Sequence, residues 1–272
     1  MACHGVLDEE RHTPQPFDID IELRLPPPPA DCLDLTVDYA QLAADVSAIV
    51  QSEPVNLIET LANRIAGACL TGPAESVTVT VHKPQAPIEQ PFADVSCTIE
   101  AARFALSLGA NIGDTLETLA SAVATLAKTP GIRVSDVSSI YQTTPVELLG
   151  QQGIDSDRQP DYHNLVVTGV TTLTPTQLLG RTAAIETGFG RQRPYRFAPR
   201  TLDIDLIVVG DAVLDTPQLT LPHPRAAERA FVLVPWIEIA PNAELPAGRA
   251  ADLVERLDTS GVHLLGPLSV DI

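Results

Sequence analysis

The 272-residue chain is short of positive charge. Its 17 lysines and arginines stand against 35 aspartates and glutamates, for a net charge of −18 at pH 7. A field of that sign repels nucleic-acid phosphates and anionic membrane surfaces, which weighs against general binding to either. Cysteine is also scarce. Cys3, Cys32, Cys69 and Cys97 stand alone, without a Cys-x-x-Cys pair or the Cys/His spacing of a zinc site, so reduced thiols are expected. No apolar run nears the roughly 18 residues of a membrane-spanning helix, and no basic-then-apolar leader opens the chain, so a cytoplasmic protein is expected. Internal repeats, a low-complexity tail and a Gly-x-x-x-x-Gly-Lys phosphate loop are missing. Any nucleotide chemistry must therefore be built another way.

What basic charge there is gathers in one place. Phe189–Arg200 holds Arg191, Arg193, Arg196 and Arg200 and no acid. Directly after it, Leu202 to Val209 reads as a strand carrying Asp203 and Asp205. Side chains alternate along a strand, so the two carboxylates share a face while Leu202, Ile204, Leu206 and Val208 take the other. Two acids about 6 to 7 Å apart on one face repel unless a cation lies between them. Carboxylates beside guanidinium groups suit a divalent cation and a polyphosphate: Mg²⁺ takes oxygen ligands, and arginine grips phosphate oxygens.

Periodicity outlines two domains, 1–101 and 102–272, within an α+β fold class. In the first, residues 17–25 alternate as a half-buried strand ended by Pro26–Pro29. Residues 37–50 and 56–70 have helical spacing, and 76–82 and 93–99 read as strands. In the second, strands are expected at 104–108, 133–141, 164–170 and 202–209. Helices are expected at 114–128 and 175–187, and residues 231–239 form an apolar helix or strand against the core. The order strand–helix–strand–strand–helix–strand is that of a ferredoxin-like α/β sandwich.

The second half carries Gly109-Ala-Asn111-Ile-Gly-Asp114, Tyr141-Gln-Thr143-Thr144-Pro145, Asp161-Tyr162-His163-Asn164, Glu186, the arginine segment, Asp203/Asp205, Pro222-His223-Pro224 and Arg229-Ala-Phe231. Over about residues 104–265 it resembles 6-hydroxymethyl-7,8-dihydropterin pyrophosphokinase, a family that moves the β,γ-diphosphate of ATP to a reduced pterin and releases AMP. The resemblance implies that Asp203 and Asp205 bridge two Mg²⁺ ions. It places Arg191, Arg193, Arg196, Arg200, His223, Arg229 and Glu186 on the ATP side. On the pterin side it places Thr143, Thr144, Val146, Tyr162, Asn164 and Phe231. Where the family commonly has Trp-Gly-Pro-Arg, this chain has Phe197-Ala198-Pro199-Arg200, which loses an indole N–H and stiffens the backbone.

The first half, over about residues 4–99, resembles dihydroneopterin aldolase. The residues are His4-Gly5-Val6-Leu7-Asp8-Glu9-Glu10, Thr36-Val-Asp-Tyr39, Asn56-Leu57-Ile58-Glu59-Thr60 and Val81-His82-Lys83-Pro84-Gln-Ala-Pro87. That family implies a tunnelling-fold-like antiparallel sheet with two helices, and a retro-aldol reaction without metal or Schiff base. Lys83, Tyr39 and Glu10 are its implied acid/base group, and Glu59 its anchor for the pterin's N–H edge. Family sites lie between subunits, which implies a homo-oligomer. The family also has a strand ahead of the His-Gly segment. Here only three residues precede His4, so a weak or absent aldolase is expected. Two consecutive enzymes point to a bifunctional folate-synthesis protein. The rivals are a first half serving only as an oligomerisation module, and a chain that binds nucleotide or pterin without catalysis.

Overall fold

The computed structural model describes residues 1–28, 30–144, 160–190 and 200–270. The chain divides into two compact units, Met1–Arg103 and Phe104–Ile272.

The first unit contains α1 (Asp8–His12), β1 (Asp18–Arg24), α2 (Tyr39–Val50), α3 (Ile58–Cys69), β2 (Ser76–His82) and the first half of β3 (Ser96–Ala110). Alternation makes the sheet two-faced. Val77, Val79 and Val81 are buried, and β2 pairs antiparallel with β1 from Asp18↔His82 to Arg24↔Ser76 and with β3 from Ser76↔Ala102 to His82↔Ser96. Helix α3 lays Leu61, Ala62, Ile65 and Ala66 against this apolar face. Leu61 and Ile65 are fully buried, each contributing about 1.5–3 kcal/mol of apolar transfer free energy. Helix α2 starts where Asp38 accepts the N–H groups of Ala40 and Gln41 at 2.8 and 3.1 Å.

The second unit runs from the second half of β3 through α4 (Thr115–Ala127), β4 (Ile132–Val137), β5 (Ile140–Thr143), β6 (Tyr162–Thr171), α5 (Pro175–Gly188) and β7 (Asp203–Val209). It continues with β8 (Leu214–Asp215), β9 (Thr220–Leu221), α6 (Ala230–Ile239), β10 (Glu244–Leu245), β11 (Gly248–Arg249), α7 (Ala250–Val254) and β12 (Val262–Gly266). Its sheet places β3 between β7 and β6. Strand β4 pairs with the C-terminal part of β6, β5 with the N-terminal part, and β12 lies beyond β5. Helix α6 seals one face: Val232, Leu233 and Trp236 pack with Ala105, Val166 and Ile207. Among the described residues, no helix is long and apolar enough to cross a membrane.

Three local expectations change. Residues 96–110 form one strand rather than two, because Glu100-Ala-Ala-Arg103 holds no glycine or proline to break the ladder. The strand expected over 133–141 is two. At the break, Ser138 N donates to Val166 O and Ser138 Oγ accepts Val166 N–H, both at 2.9 Å, so a side chain replaces one rung of the ladder. Alternation in β7 holds through Leu206. A register shift between Ala105 and Leu106 then buries Ile207 fully and leaves Val208 half-buried.

Candidate functional sites in the two units

In the first unit, Lys83 follows the last residue of β2 on the same side as Val77, Val79 and Val81, so its side chain enters the core face. Its backbone N–H is held by Val95 O at 2.7 Å. Only 7% of the residue is exposed. The ammonium donates to His4 O at 3.1 Å and to the Glu10 carboxylate, and lies 5.8 Å from the centre of the Phe17 ring. Burial alone would push the Glu10 carboxyl up. Hydrogen bonds from Lys83, the Leu7 N–H and Gln15, with the Lys83 charge, together outweigh burial and hold it below its ordinary value.

The floor of this pair is His4-Gly5. His4 is fully buried; its Nδ1 accepts the Val55 N–H at 3.1 Å, so its Nε2 carries the proton donated to Val50 O at 2.7 Å. Burial chiefly keeps this ring neutral, lowering its pKa. Gly5 has φ +154°, and a Cβ there would lie 2.3 Å from Glu10 Cδ, so only glycine leaves room for the carboxylate. His4 and Gly5 stand in the quoted motif, but local pattern gave no hint of their supporting work. Tyr39 and Glu59 are placed differently. Tyr39 is 82% exposed at the start of α2, and Glu59 is exposed in the first turn of α3.

In the second unit, Asp203 and Asp205 do share a half-exposed face of β7, opposite the buried Ile204 and Leu206. Each acid has a guanidinium. Arg200 Nη1 bonds Asp203, and Arg229 Nη1 reaches Asp205 Oδ2 at 3.1 Å. His223 Nε2 stands 3.9 Å from the same Asp205 oxygen, while its Nδ1 accepts the Arg225 N–H at 3.2 Å, so the proton lies on the Asp205 side. Burial lowers the His223 pKa most, Arg229 and Arg225 add to that, and the two aspartates oppose it.

Glu186, on α5, bonds the main chain of this strand. It is 6% exposed and accepts the Ile204 N–H at 2.7 Å, supporting the residue between the two aspartates. Asn111, buried to 2%, grips Arg200 from both sides: Arg200 N donates to Asn111 Oδ1 at 2.8 Å, and Asn111 N donates to Arg200 O at 3.1 Å.

The residues expected on the pterin side cluster on β5 and β6. Asn164 Nδ2 donates to Thr143 Oγ1 at 2.7 Å, and both are buried. Tyr141 pairs with Asn164 and Thr143 with Tyr162, so all four side chains share one sheet face. Gly109 lets Asn164 in, since a Cβ there would meet Asn164 Oδ1 at 2.7 Å. Thr144 is exposed. Phe231, in the first turn of α6, has the Arg229 guanidinium 5.5 Å from its ring centre. Val146, Arg191, Arg193 and Arg196 lie outside the described residues.

Comparison with known proteins separates the chain along the same lines. The family described as 7,8-dihydro-6-hydroxymethylpterin-pyrophosphokinase matches residues 105–241, and the family described as dihydroneopterin aldolase matches residues 1–100. A 2-amino-4-hydroxy-6-hydroxymethyldihydropteridine pyrophosphokinase of Synechocystis sp. is 42% identical over 164 residues, covering 60% of this chain and 80% of that protein. The enzyme of the same name from Methylorubrum extorquens is 42% identical over 158 residues, covering 58% and 95%. The folic acid synthesis protein fol1 of Schizosaccharomyces pombe is 34% identical over 161 residues, covering 58% of this chain and 21% of that protein.

Proposed function

Because the chain belongs to the 7,8-dihydro-6-hydroxymethylpterin-pyrophosphokinase family and carries a dihydroneopterin aldolase domain ahead of it, we propose that its two reactions run at Asp203/Asp205 and at Lys83/Glu10. It is a folate-biosynthesis enzyme with a pyrophosphokinase unit and an aldolase unit. The carrying observation is the pairing of each β7 carboxylate with its own arginine. Strand order β7–β3–β6–β4 supports a ferredoxin-like reading of the second unit, and the two-helix antiparallel sheet supports a tunnelling-fold reading of the first.

Asp203 and Asp205 fit magnesium. They are hard oxygen donors on one half-exposed face, and among the described residues no third acid, histidine or cysteine closes a cage around them. Mg²⁺ typically keeps few protein ligands and fills its shell with water and phosphate oxygens. Bound there, the metal would neutralise polyphosphate charge and orient the β-phosphorus. Arg200 and Arg229, released from the acids, then turn to phosphate oxygens, with Arg191, Arg193 and Arg196 as further grips. Asn164, Thr143 and Tyr162 hold the pterin against Phe231, with Thr144 and Val146 offering backbone groups. His223 contacts the nucleotide, and Glu186 keeps the aspartate strand in register beside it. The pterin hydroxymethyl oxygen attacks the β-phosphorus, the α,β-bond breaks, and AMP leaves.

In the first unit, Lys83 and Glu10 exchange protons with the pterin ring and the side-chain hydroxyl, the ring taking up the electrons as the carbon–carbon bond breaks. The exposure of Tyr39 and Glu59 supports a site completed by a neighbouring copy of the chain, hence a homo-oligomer formed through this unit.

Two assays on the purified protein test both halves. Asp203→Ala removes AMP formation from ATP and hydroxymethyl-dihydropterin while leaving the wild type's glycolaldehyde release from dihydroneopterin, expected from the sequence to be weak, and Lys83→Ala does the reverse. Retention of glycolaldehyde release in Lys83→Ala overturns the aldolase site. AMP formation undiminished in Asp203→Ala overturns the metal–phosphate site.

A further inference from the structure

Helix α6 is almost wholly apolar, Ala-Phe-Val-Leu-Val-Pro-Trp-Ile-Glu-Ile, and Glu238 is its one charged residue. Both oxygens of that carboxylate are engaged. The Ser139 N–H donates to both at 3.1 Å, the Ser139 hydroxyl to Oε1 at 2.7 Å, and the Tyr141 hydroxyl to Oε2 at 2.9 Å. No cation takes part among the described residues. A carboxylate that draws only on neutral donors of one strand end acts as a clasp, because charge-assisted hydrogen bonds are short, directional and stronger than neutral ones. Burial, followed by the hydrogen bond and charge of Glu238, pushes the Tyr141 hydroxyl up to about 12, so it remains a donor across the working pH range.

The clasp joins the two elements that carry the residues proposed for the pterin side, α6 with Phe231 and β5 with Thr143. Phe231 and Glu238 are seven residues apart on α6, close to two turns, so they lie on one stripe roughly 10 Å apart along the axis. Tyr141 and Thr143 are two residues apart on β5 and share a face with Asn164 and Tyr162. Glu238 therefore fixes the last turn of α6 to the start of β5, and Phe231 stands on the same stripe of that helix about two turns away. Rotating or sliding α6 changes the gap between the Phe231 ring and the Asn164–Thr143 pair.

We propose that Glu238 is a positioning residue for the pterin slot, setting the distance between Phe231 on α6 and the Thr143–Asn164 pair. The inference rests on the proposed pterin side of the second unit. It assigns Glu238 no contact with substrate.

The test compares Glu238→Ala, Glu238→Gln and Tyr141→Phe by titration calorimetry, with hydroxymethyl-dihydropterin and, separately, a non-hydrolysable ATP analogue with Mg²⁺. Thermal unfolding is followed in parallel. Tyr141→Phe keeps the ring and deletes one hydrogen bond, so it serves where Glu238→Ala fails to fold. Expected is a pterin Kd raised about tenfold in Glu238→Ala, since small misplacements of positioning groups carry large losses. Tyr141→Phe gives a smaller rise, and Glu238→Gln, which keeps one acceptor oxygen, recovers part of the affinity. ATP-analogue Kd rises less than pterin Kd in all three, because Asp203, Asp205 and Arg200 lie off α6 and only Arg229, at its start, couples the helix to that face. A loss of ATP-analogue affinity as large as the loss of pterin affinity, or unchanged pterin Kd in Glu238→Ala and Tyr141→Phe, overturns the positioning role. Asn164→Ala and Phe231→Ala separate the two levels. If they weaken pterin and the clasp variants do not, only the role of Glu238 falls. If they too leave pterin Kd unchanged, the pterin slot itself falls and the positioning role with it.

Discussion

Asn111 and Arg200 hold each other by a reciprocal pair of bonds, Arg200 N to Asn111 Oδ1 at 2.8 Å and Asn111 N to Arg200 O at 3.1 Å. The clamp sets where the chain enters β7, and so where the Arg200 guanidinium meets Asp203. Asn111→Leu leaves the Arg200 N–H without its acceptor at a position where Asn111 is 2% exposed. The expected stability loss is about 1–3 kcal/mol. Asn111→Asp keeps the acceptor oxygen and recovers part of it. Urea unfolding of the three proteins checks the order, and binding of an ATP analogue should weaken in the same order.

Gly5 and Glu10 give a sharper test of the first unit. A Cβ at Gly5 would sit 2.3 Å from Glu10 Cδ, and φ +154° is itself unfavourable to any other residue. Gly5→Ala therefore pushes the carboxylate away from Lys83. Glycolaldehyde release should fall by about 10²-fold, the scale of a misplaced catalytic group. AMP formation should stay at the wild-type rate. Equal loss in both assays would point to general unfolding instead.

Much of the second unit could be read locally. Asp203 and Asp205 share a face because a strand has period two, and Asp114 caps α4 through the Glu117 N–H as its place before an apolar periodic run suggests. The partnership of Asn164 with Thr143 could not be read, since it depends on the β5–β6 register. Lys83 and Glu10 are 73 residues apart, and no spacing rule joins them; only family resemblance placed them together. Ser138 hid the division of one expected strand into two, because its hydroxyl imitates a backbone acceptor. Glu238 gave no signal either. A single acid near the end of an apolar helix reads as a solvent-facing residue until its Ser139 and Tyr141 donors are seen.

His82 predicts a pH effect of definite sign. Its Nδ1 lies 2.6 Å from Asp94 Oδ2 and its Nε2 3.2 Å from Asp20 Oδ2. The hydrogen bond to Asp94 raises its pKa most, Asp20 adds to it, and slight burial opposes. Asp18, the cross-strand neighbour of His82, adds negative charge on the same sheet face. The folded pKa is thus above the ordinary 6.5 of the unfolded chain. The stabilising contribution is complete below 6.5 and is lost as pH rises through the folded value. The stability gap between wild type and His82→Gln, measured by urea unfolding across this range, should narrow with rising pH. A gap that widens with pH contradicts the clasp between β1, β2 and Asp94.

Metal removal should separate the two reactions in one preparation. If polyphosphate binds at the acids on β7 as proposed, a divalent cation is needed to bring it there, since without one their own charges repel it. On the proposed reading the Lys83–Glu10 pair, joined by a hydrogen bond, exchanges protons and calls for no metal. Treating the protein with excess EDTA should therefore abolish AMP formation and leave glycolaldehyde release unchanged, and added Mg²⁺ should restore the first. Asp205→Asn should lower AMP formation by at least about 10²-fold at saturating Mg²⁺, because a neutral amide is a poorer ligand for a hard cation and no longer balances Arg229. Sodium borohydride with dihydroneopterin should not inactivate glycolaldehyde release, because the proposed proton exchange at Lys83 and Glu10 passes through no Schiff base. Inactivation by borohydride, with the pterin fragment found on Lys83, would replace proton exchange by covalent catalysis in the first unit.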